Sequence, residues 1–266
     1  MKFIILAAGK GSRLKDSLPL GYPYITKSII KIDGKPFINH LIEKISKFTK
    51  QKITVVTGHE YQKVNNLLPL DEASPIINKL YEKDSNLSSL YLALESLYKE
   101  KNELTNGVII IEADSYFSKK EMENFIIFLN KINQKKLGSN LICWTSKGVA
   151  KSDEAGGFLD IKNKKKKDGE VTKAYISSKK NNSNTLKMYG ITWLSKQSSF
   201  LWYKNAKLFF QENDKNYLKY YFHNIIFNNE KEFSMKYYDF GEKALSFNTY
   251  EDYLLCLKDH KKNEVL

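Results

Sequence analysis

The residues best equipped for chemistry stand at the start of the chain. The apolar run Phe3–Leu6 passes directly into Leu6-Ala7-Ala8-Gly9-Lys10-Gly11-Ser12-Arg13-Leu14. Small residues at Ala7, Ala8, Gly9 and Gly11 let backbone N–H groups close on an anion. Arg13 adds a planar fork of donors that suits a triphosphate. A second candidate is Asp114, just past Val108-Ile109-Ile110-Ile111, the most apolar run in the chain. A carboxylate at the end of a buried strand is a candidate ligand for Mg²⁺.

Two other phosphate loops are excluded by spacing. A P-loop needs GxxxxGK[ST], and no Gly-Lys-Ser/Thr follows Gly9 or Gly11 at that distance. A dinucleotide fingerprint needs a third small residue where Leu14 stands, and an acid about 20 residues on. The acid there, Asp33, belongs to the turn Asp33-Gly34-Lys35-Pro36.

The elements that must position these residues follow from periodicity. Phe3–Leu6, Ile29–Ile32, Ile53–Thr57, a strand beginning at Ile76 and Ile77, Val108–Ile111 and Leu141–Thr145 read as strands. Helices are expected over Pro36–Phe48, Tyr61–Leu68, from a Ser85–Ser89 cap onward, and over Lys119–Gln134. This alternation predicts an α/β fold, a Rossmann-like three-layer sandwich around a mixed, mostly parallel sheet. Ligands in such sheets bind beyond the carboxyl ends of the strands. Gly9, Gly58 and Asp114 all fall there.

The second half reads differently. Antiparallel strands are expected at Phe158–Ile161, Ala174–Ile176 and Met188–Trp193, then helices over Ser195–Gln211 and Tyr217–Asn228. A strand at Met235–Phe240, the segment Leu245–Asn248 and a last helix from Thr249 follow. No linker or repeat interrupts the chain. One domain over residues 1–266 is expected, in two halves (1–145 and 146–266) that share one cleft.

Length and composition fit a packed globular chain: 266 residues, 42% apolar and 13% aromatic. The net charge of +13 comes from scattered lysines, densest at Lys162 and Lys164–Lys167. A run of this kind is a solvated loop, and no nucleic-acid partner is expected. Cys143 and Cys256 have no metal-ligand spacing, which points to a reducing cytoplasm. The first apolar run is shorter than the ~7–15 residues of a signal peptide. No stretch reaches the ~20 apolar residues of a membrane span, so no membrane partner is expected.

The loop resembles the LAAGxGxRL signature of the nucleotidylyltransferases. The segment Thr26-Lys27-Ser28-Ile29-Ile30-Lys31-Ile32-Asp33-Gly34-Lys35-Pro36 is similar to that family's second element, with Thr26 where proline is usual. Within the family, Asn86-Leu87-Ser88-Ser89-Leu90 and Glu112-Ala113-Asp114-Ser115-Tyr116-Phe117 look like the bacterial CTP:phosphocholine cytidylyltransferases. Tyr189-Gly190-Ile191, Tyr221-Phe222-His223-Asn224 and Asn248-Thr249-Tyr250-Glu251-Asp252-Tyr253 extend the likeness.

The resemblance implies CTP, Mg²⁺ and a small phosphorylated or phosphonate acceptor, with a homodimer possible. It implies catalytic roles for Arg13, Lys27 and Asp114. The nucleotide would be held by Leu6, Ala7, Ala8, Gly9, Gly11, Ser12, Asn86 and Ser89, and the metal by Asp114 and Asn248. The acceptor would meet Tyr189, Lys219, Tyr221 and His223.

Three departures stand out. Asn248 replaces the family's second aspartate, and an amide oxygen binds Mg²⁺ without its charge. Gly157 falls where a cage tryptophan is usual. Lys219 and His223 replace acids, and suit an acceptor with a carboxylate, or another phosphorylated or phosphonate compound. Two rival readings follow from the same family. A sugar-1-phosphate nucleotidylyltransferase would show a Gly-Thr/Gln-Ala-type segment in place of Asn86–Leu90 and a Glu-Lys-Pro element midway. A regulatory relative that binds nucleotide without turnover would tolerate Asn248.

Overall fold

The computed structural model describes residues 1–22, 26–82, 86–100, 104–135, 139–151, 155–162, 167–180, 183–212, 221–241 and 244–264. In chain order the first half gives β1 (Lys2–Ala7), α1 (Ser12–Ser17), β2 (Lys31–Ile32), β3 (Lys35–Pro36), α2 (Phe37–Ser46), β4 (Ile53–Thr57), α3 (Tyr61–Asn65), β5 (Ala73–Ile77), α4 (Leu87–Lys99), β6 (Val108–Glu112), β7 (Ser115–Tyr116) and α5 (Lys119–Lys135). The second half gives β8 (Leu141–Val149), β9 (Gly156–Ile161), β10 (Asp168–Ser177), β11 (Thr185–Leu194), α6 (Lys196–Glu212), α7 (Phe222–Asn228), β12 (Ser234–Asp239), β13 (Leu245–Ser246) and α8 (Tyr250–Glu264).

The main sheet has nine strands among the described residues, in the order β5-β4-β1-β6-β11-β8-β12-β10-β9. The quartet β5-β4-β1-β6 is parallel throughout. β11 then enters antiparallel between β6 and β8, and β12 runs parallel to β8. β10 is antiparallel to both β12 and β9. Seven strands therefore share one direction and only β11 and β10 oppose it, so the mostly parallel expectation holds for orientation. The reversed strands are what make the pairings of the second half largely antiparallel.

Alternation along each strand divides the core into two layers. Phe3, Ile5, Ile109, Ile111, Ile191 and Trp193 face α2, α5 and α8, where they meet Leu41, Phe125 and Cys256. Ile4, Leu6, Val108, Ile110 and Leu194 face α4, α6 and α7, where they meet Leu90, Trp202 and Ile226. β1 and β6 are buried on both faces, which explains why they read as unbroken apolar runs. Cys143 and Cys256 are both buried free thiols. No helix among the described residues is long and apolar enough to cross a membrane.

Several local expectations shift. The strand expected over Ile29–Ile32 shortens to Lys31–Ile32, because Thr26 O accepts from Ile29 N and closes a 3₁₀ turn over Lys27–Ile29. Ile76 and Ile77 end β5 rather than begin it; Pro75 sits inside the strand on the sheet's edge, where proline is tolerated. The helix expected over Tyr61–Leu68 closes at Asn65. The proposed start of α7 at Tyr217, and Lys164–Lys166, lie outside the described residues.

Candidate active site

The chain leaves β1 for β4 on one side and returns to β6 on the other. A crevice is thereby forced open at the carboxyl end of β1, and the glycine loop fills it. Ala113 N donates to Leu6 O at 3.1 Å and His59 N to Ala8 O at 3.0 Å, so the loop's root is tied to both flanking strands. Gly11 adopts φ 67°, a left-handed turn that starts α1 and carries Arg13 back toward the cleft. Leu14, 1% exposed, anchors that helix in the core.

The cleft holds about 430 Å³ and is lined by Leu6–Leu14, Lys27, Asn86, Ser89, Glu112, Asp114, Tyr221 and Asn248. Every nucleotide-side and catalytic residue expected from the sequence lies on it. At its floor the Lys27 ammonium bonds Asp114 Oδ2 at 2.6 Å and Asn248 Oδ1 at 3.0 Å. These three come from remote parts of the chain. Short pairing of β13 with β7, continued by Phe247 N donating to Asp114 O at 3.3 Å, brings Asn248 beside Asp114. Asp252 Oδ2 accepts from the backbone N–H of Asn248 and Thr249 and fixes the start of α8.

Glu112 is the functional group missed by sequence reasoning. It ends β6 two residues before Asp114, which sits in the following turn, and both carboxylates line the cleft. Burial and then the Asp114 charge push its pKa up to about 7, against the pull of Lys27 and Arg13. Asn86 Nδ2 donates to Glu112 Oε1 at 3.1 Å, while Asn86 Oδ1 accepts from Phe222 N at 2.8 Å. Asn86 therefore does not cap α4 with its side chain, as expected, but braces β6 against α7. Ser89 is not a cap either; its hydroxyl accepts from Asn78 Nδ2 at 2.9 Å.

A second cavity of about 340 Å³ shares Arg13, Glu112, Asp114, Tyr221 and Asn248 with the first. Tyr189, Tyr221 and His223, the expected acceptor residues, line it; Lys219 lies outside the described residues. Tyr189 carries its hydroxyl elsewhere, donating to Tyr116 O at 2.7 Å and Leu245 O at 3.2 Å, so only its ring faces the cavity wall. His223 packs against Trp144, Phe222 and Phe227. Burial pushes its pKa down to about 3, so it is neutral at physiological pH and brings no positive charge.

Residues 3–127 match the family model of the MobA-like NTP transferase domain. This part of the chain is a MobA-like NTP transferase domain. The match covers a little under half of the chain. A choline-phosphate cytidylyltransferase from Streptococcus pneumoniae is 30% identical over 127 residues, 47% of this chain and 49% of that one. The bifunctional protein GlmU of Methanococcus maripaludis is 34% identical over 142 residues, 52% of this chain and 30% of that one. The chain thus spans about a third to a half of the length of these curated relatives. Among solved structures, the CTP:phosphocholine cytidylyltransferase LicC of S. pneumoniae matches 97% of both chains with a TM-score of 0.67 at 19% identity. An apo UDP-glucose pyrophosphorylase matches 99% of both with 0.71 at 15%. These last two likenesses establish a nucleotidyltransferase-like fold with a mixed central sheet.

Proposed function

We propose that this protein transfers CMP from CTP to a small phosphorylated or phosphonate acceptor and releases pyrophosphate. The observation that carries the reading is the Lys27–Asp114–Asn248 cluster, set where the loop-lined cleft meets the second cavity. An acceptor oxygen forms a bond to the α-phosphorus while the α–β bridging P–O bond breaks. A phosphomonoester has a second pKa of about 6, so this nucleophile is already ionised and needs no base. Positioning and charge neutralisation are then the protein's contribution. The loop backbone and Arg13 hold the β- and γ-phosphates, and Lys27 neutralises charge at the α-phosphate. Leu6–Ala8, Asn86 and Ser89 border the nucleoside.

Mg²⁺ fits the residues present. Asp114 and Asn248 offer hard oxygen atoms, and both are already arranged around a single cation, the Lys27 ammonium. These two side chains would hold the ion. When bound, Mg²⁺ supplies charge neutralisation at the triphosphate. The reading treats residues 1–266 as one domain with the cleft between its halves, working on free small molecules in the cytoplasm. A homodimer is the assembly to test by sedimentation.

The specific likeness of Asn86–Leu90 and Glu112–Phe117 to the choline enzymes supports CTP. The GlmU relatives favour the second reading, a sugar-1-phosphate acceptor. Pyrophosphate release, measured with each nucleoside triphosphate, Mg²⁺ and a panel of phosphorylated acceptors, separates them. CTP-specific release with a non-sugar acceptor supports the first. UTP- or dTTP-driven release with a sugar phosphate replaces it. Nucleotide binding without release under every condition points to a regulatory relative.

A further inference from the structure

The charge of the second cavity is arranged in two ends. Glu112, Asp114 and Arg13 belong to the wall shared with the nucleotide cleft. Lys147, Lys187 and the pair Gly156–Gly157 line only the second cavity. Lys147 is on β8 and Lys187 on β11, at a register shift where Leu186 pairs with Val149 and Met188 with Ser146. Two like charges are thereby set across one antiparallel pair, an arrangement that is unfavourable by itself. Among the described residues no ion pair is made by Lys147. Lys187 Nζ donates to the carbonyl of Ala155 and lies 4.5 Å from the Phe158 ring centroid.

The glycines belong to the same arrangement. Gly156 has φ +118°, which side-chain-bearing residues rarely adopt, and an added Cβ would stand 2.9 Å from Lys187 Nζ. At this end the two glycines contribute backbone only, beside the Lys187 ammonium and the Met188 thioether. A quaternary ammonium needs the opposite, aromatic faces and no competing cation.

We propose that the acceptor carries, at the end remote from its attacking phosphate, a second anionic group received by Lys147 and Lys187. This rests on the cytidylyltransferase reading and names its substrate class: a phosphorylated or phosphonate acid rather than a phosphorylated quaternary amine.

The test compares phosphoglycolate, which bears a carboxylate, with phosphocholine. Each is titrated calorimetrically into the full chain with Mg²⁺ and α,β-methylene-CTP present. Phosphoglycolate should bind at least about tenfold more tightly, a difference of about 1.4 kcal/mol. Lys147→Met and Lys187→Met should each weaken phosphoglycolate by about tenfold without altering phosphocholine binding or the melting profile. Lys187→Arg should restore most of the loss. Equal or tighter binding of phosphocholine, no binding of either, or indifference to both methionine variants overturns the proposal. Pyrophosphate release with CTP keeps the two proposals apart. Tight phosphoglycolate binding without release defeats the transferase reading alone, while release that favours phosphocholine defeats this one alone.

Discussion

The Lys27 ammonium lies 2.6 Å from the Asp114 carboxylate across 87 residues of sequence, and both side chains are largely shielded from water, at 16% and 14% exposure. A cation and an acid held this way form a charge pair preorganised at the floor of the candidate cleft. The chemistry proposed for the site depends on it.

Lys27→Ala and Asp114→Ala should each lower pyrophosphate release by at least about 10²–10³-fold, the cost of removing a preorganised electrostatic group. Circular dichroism should show an intact fold, because both side chains project into the cleft. Full turnover in either variant would falsify the assignment.

Glu112 gives stability a pH dependence whose sign is fixed. Its carboxyl titrates at about 7 in the folded chain against an ordinary 4.5. Between those values the folded state keeps a proton that the unfolded state has released. Stability therefore falls as pH rises from 4.5 toward 7 and levels off above. Glu112→Gln removes this dependence. Its melting temperature relative to the wild type should climb between about pH 5 and about pH 8. An offset that stays constant over that range would show that Glu112 is ionised throughout.

Asn248→Asp restores a second negative ligand beside Asp114. The Mg²⁺ concentration giving half-maximal pyrophosphate release should drop several-fold, since a carboxylate holds the ion better than an amide oxygen. An unchanged Mg²⁺ titration would remove Asn248 from the metal site. A rise in the requirement would mean that the added charge binds Lys27 more tightly than it binds the ion.

Gly58 sets the position of the phosphate loop from the far side. A Cβ there would stand 2.8 Å from Ala8 O and 2.8 Å from Tyr81 Cβ. Gly58→Ala should cost about 1–3 kcal/mol of stability through overpacking. It should also raise KM for CTP, because Ala8 O accepts from His59 N and moves with that segment. Thermal melts and nucleotide titrations check the two effects separately, and a destabilised variant with unchanged KM would show that the loop is positioned from β1 alone.

Much of this site is legible in the chain itself. The apolar runs of β1 and β6, the small residues of Ala7–Gly11, and Asp114 just past a strand end are patterns among near neighbours. Period-2 burial and glycine's conformational freedom act over a few residues, so local sequence determines strand, loop and the rough place of the acid. The resemblance added Lys27, Asn86 and Asn248, all of which lie on the cleft. What only the tertiary structure decided are the relationships between distant segments. Asn86 reads as a cap from its place before a helix, yet its amide bridges Glu112 and Phe222, because the fold brings the end of β6 and the start of α7 to the same spot. The short pairing of β13 with β7 carries Asn248 to Lys27. The register shift between β8 and β11 gathers Lys147 and Lys187 on one cavity. His223 is shielded in part by its own helix neighbours Phe222 and Phe227, but also by Trp144 from a distant strand. Such effects depend on which strands become neighbours, and that is decided by packing the whole core at once.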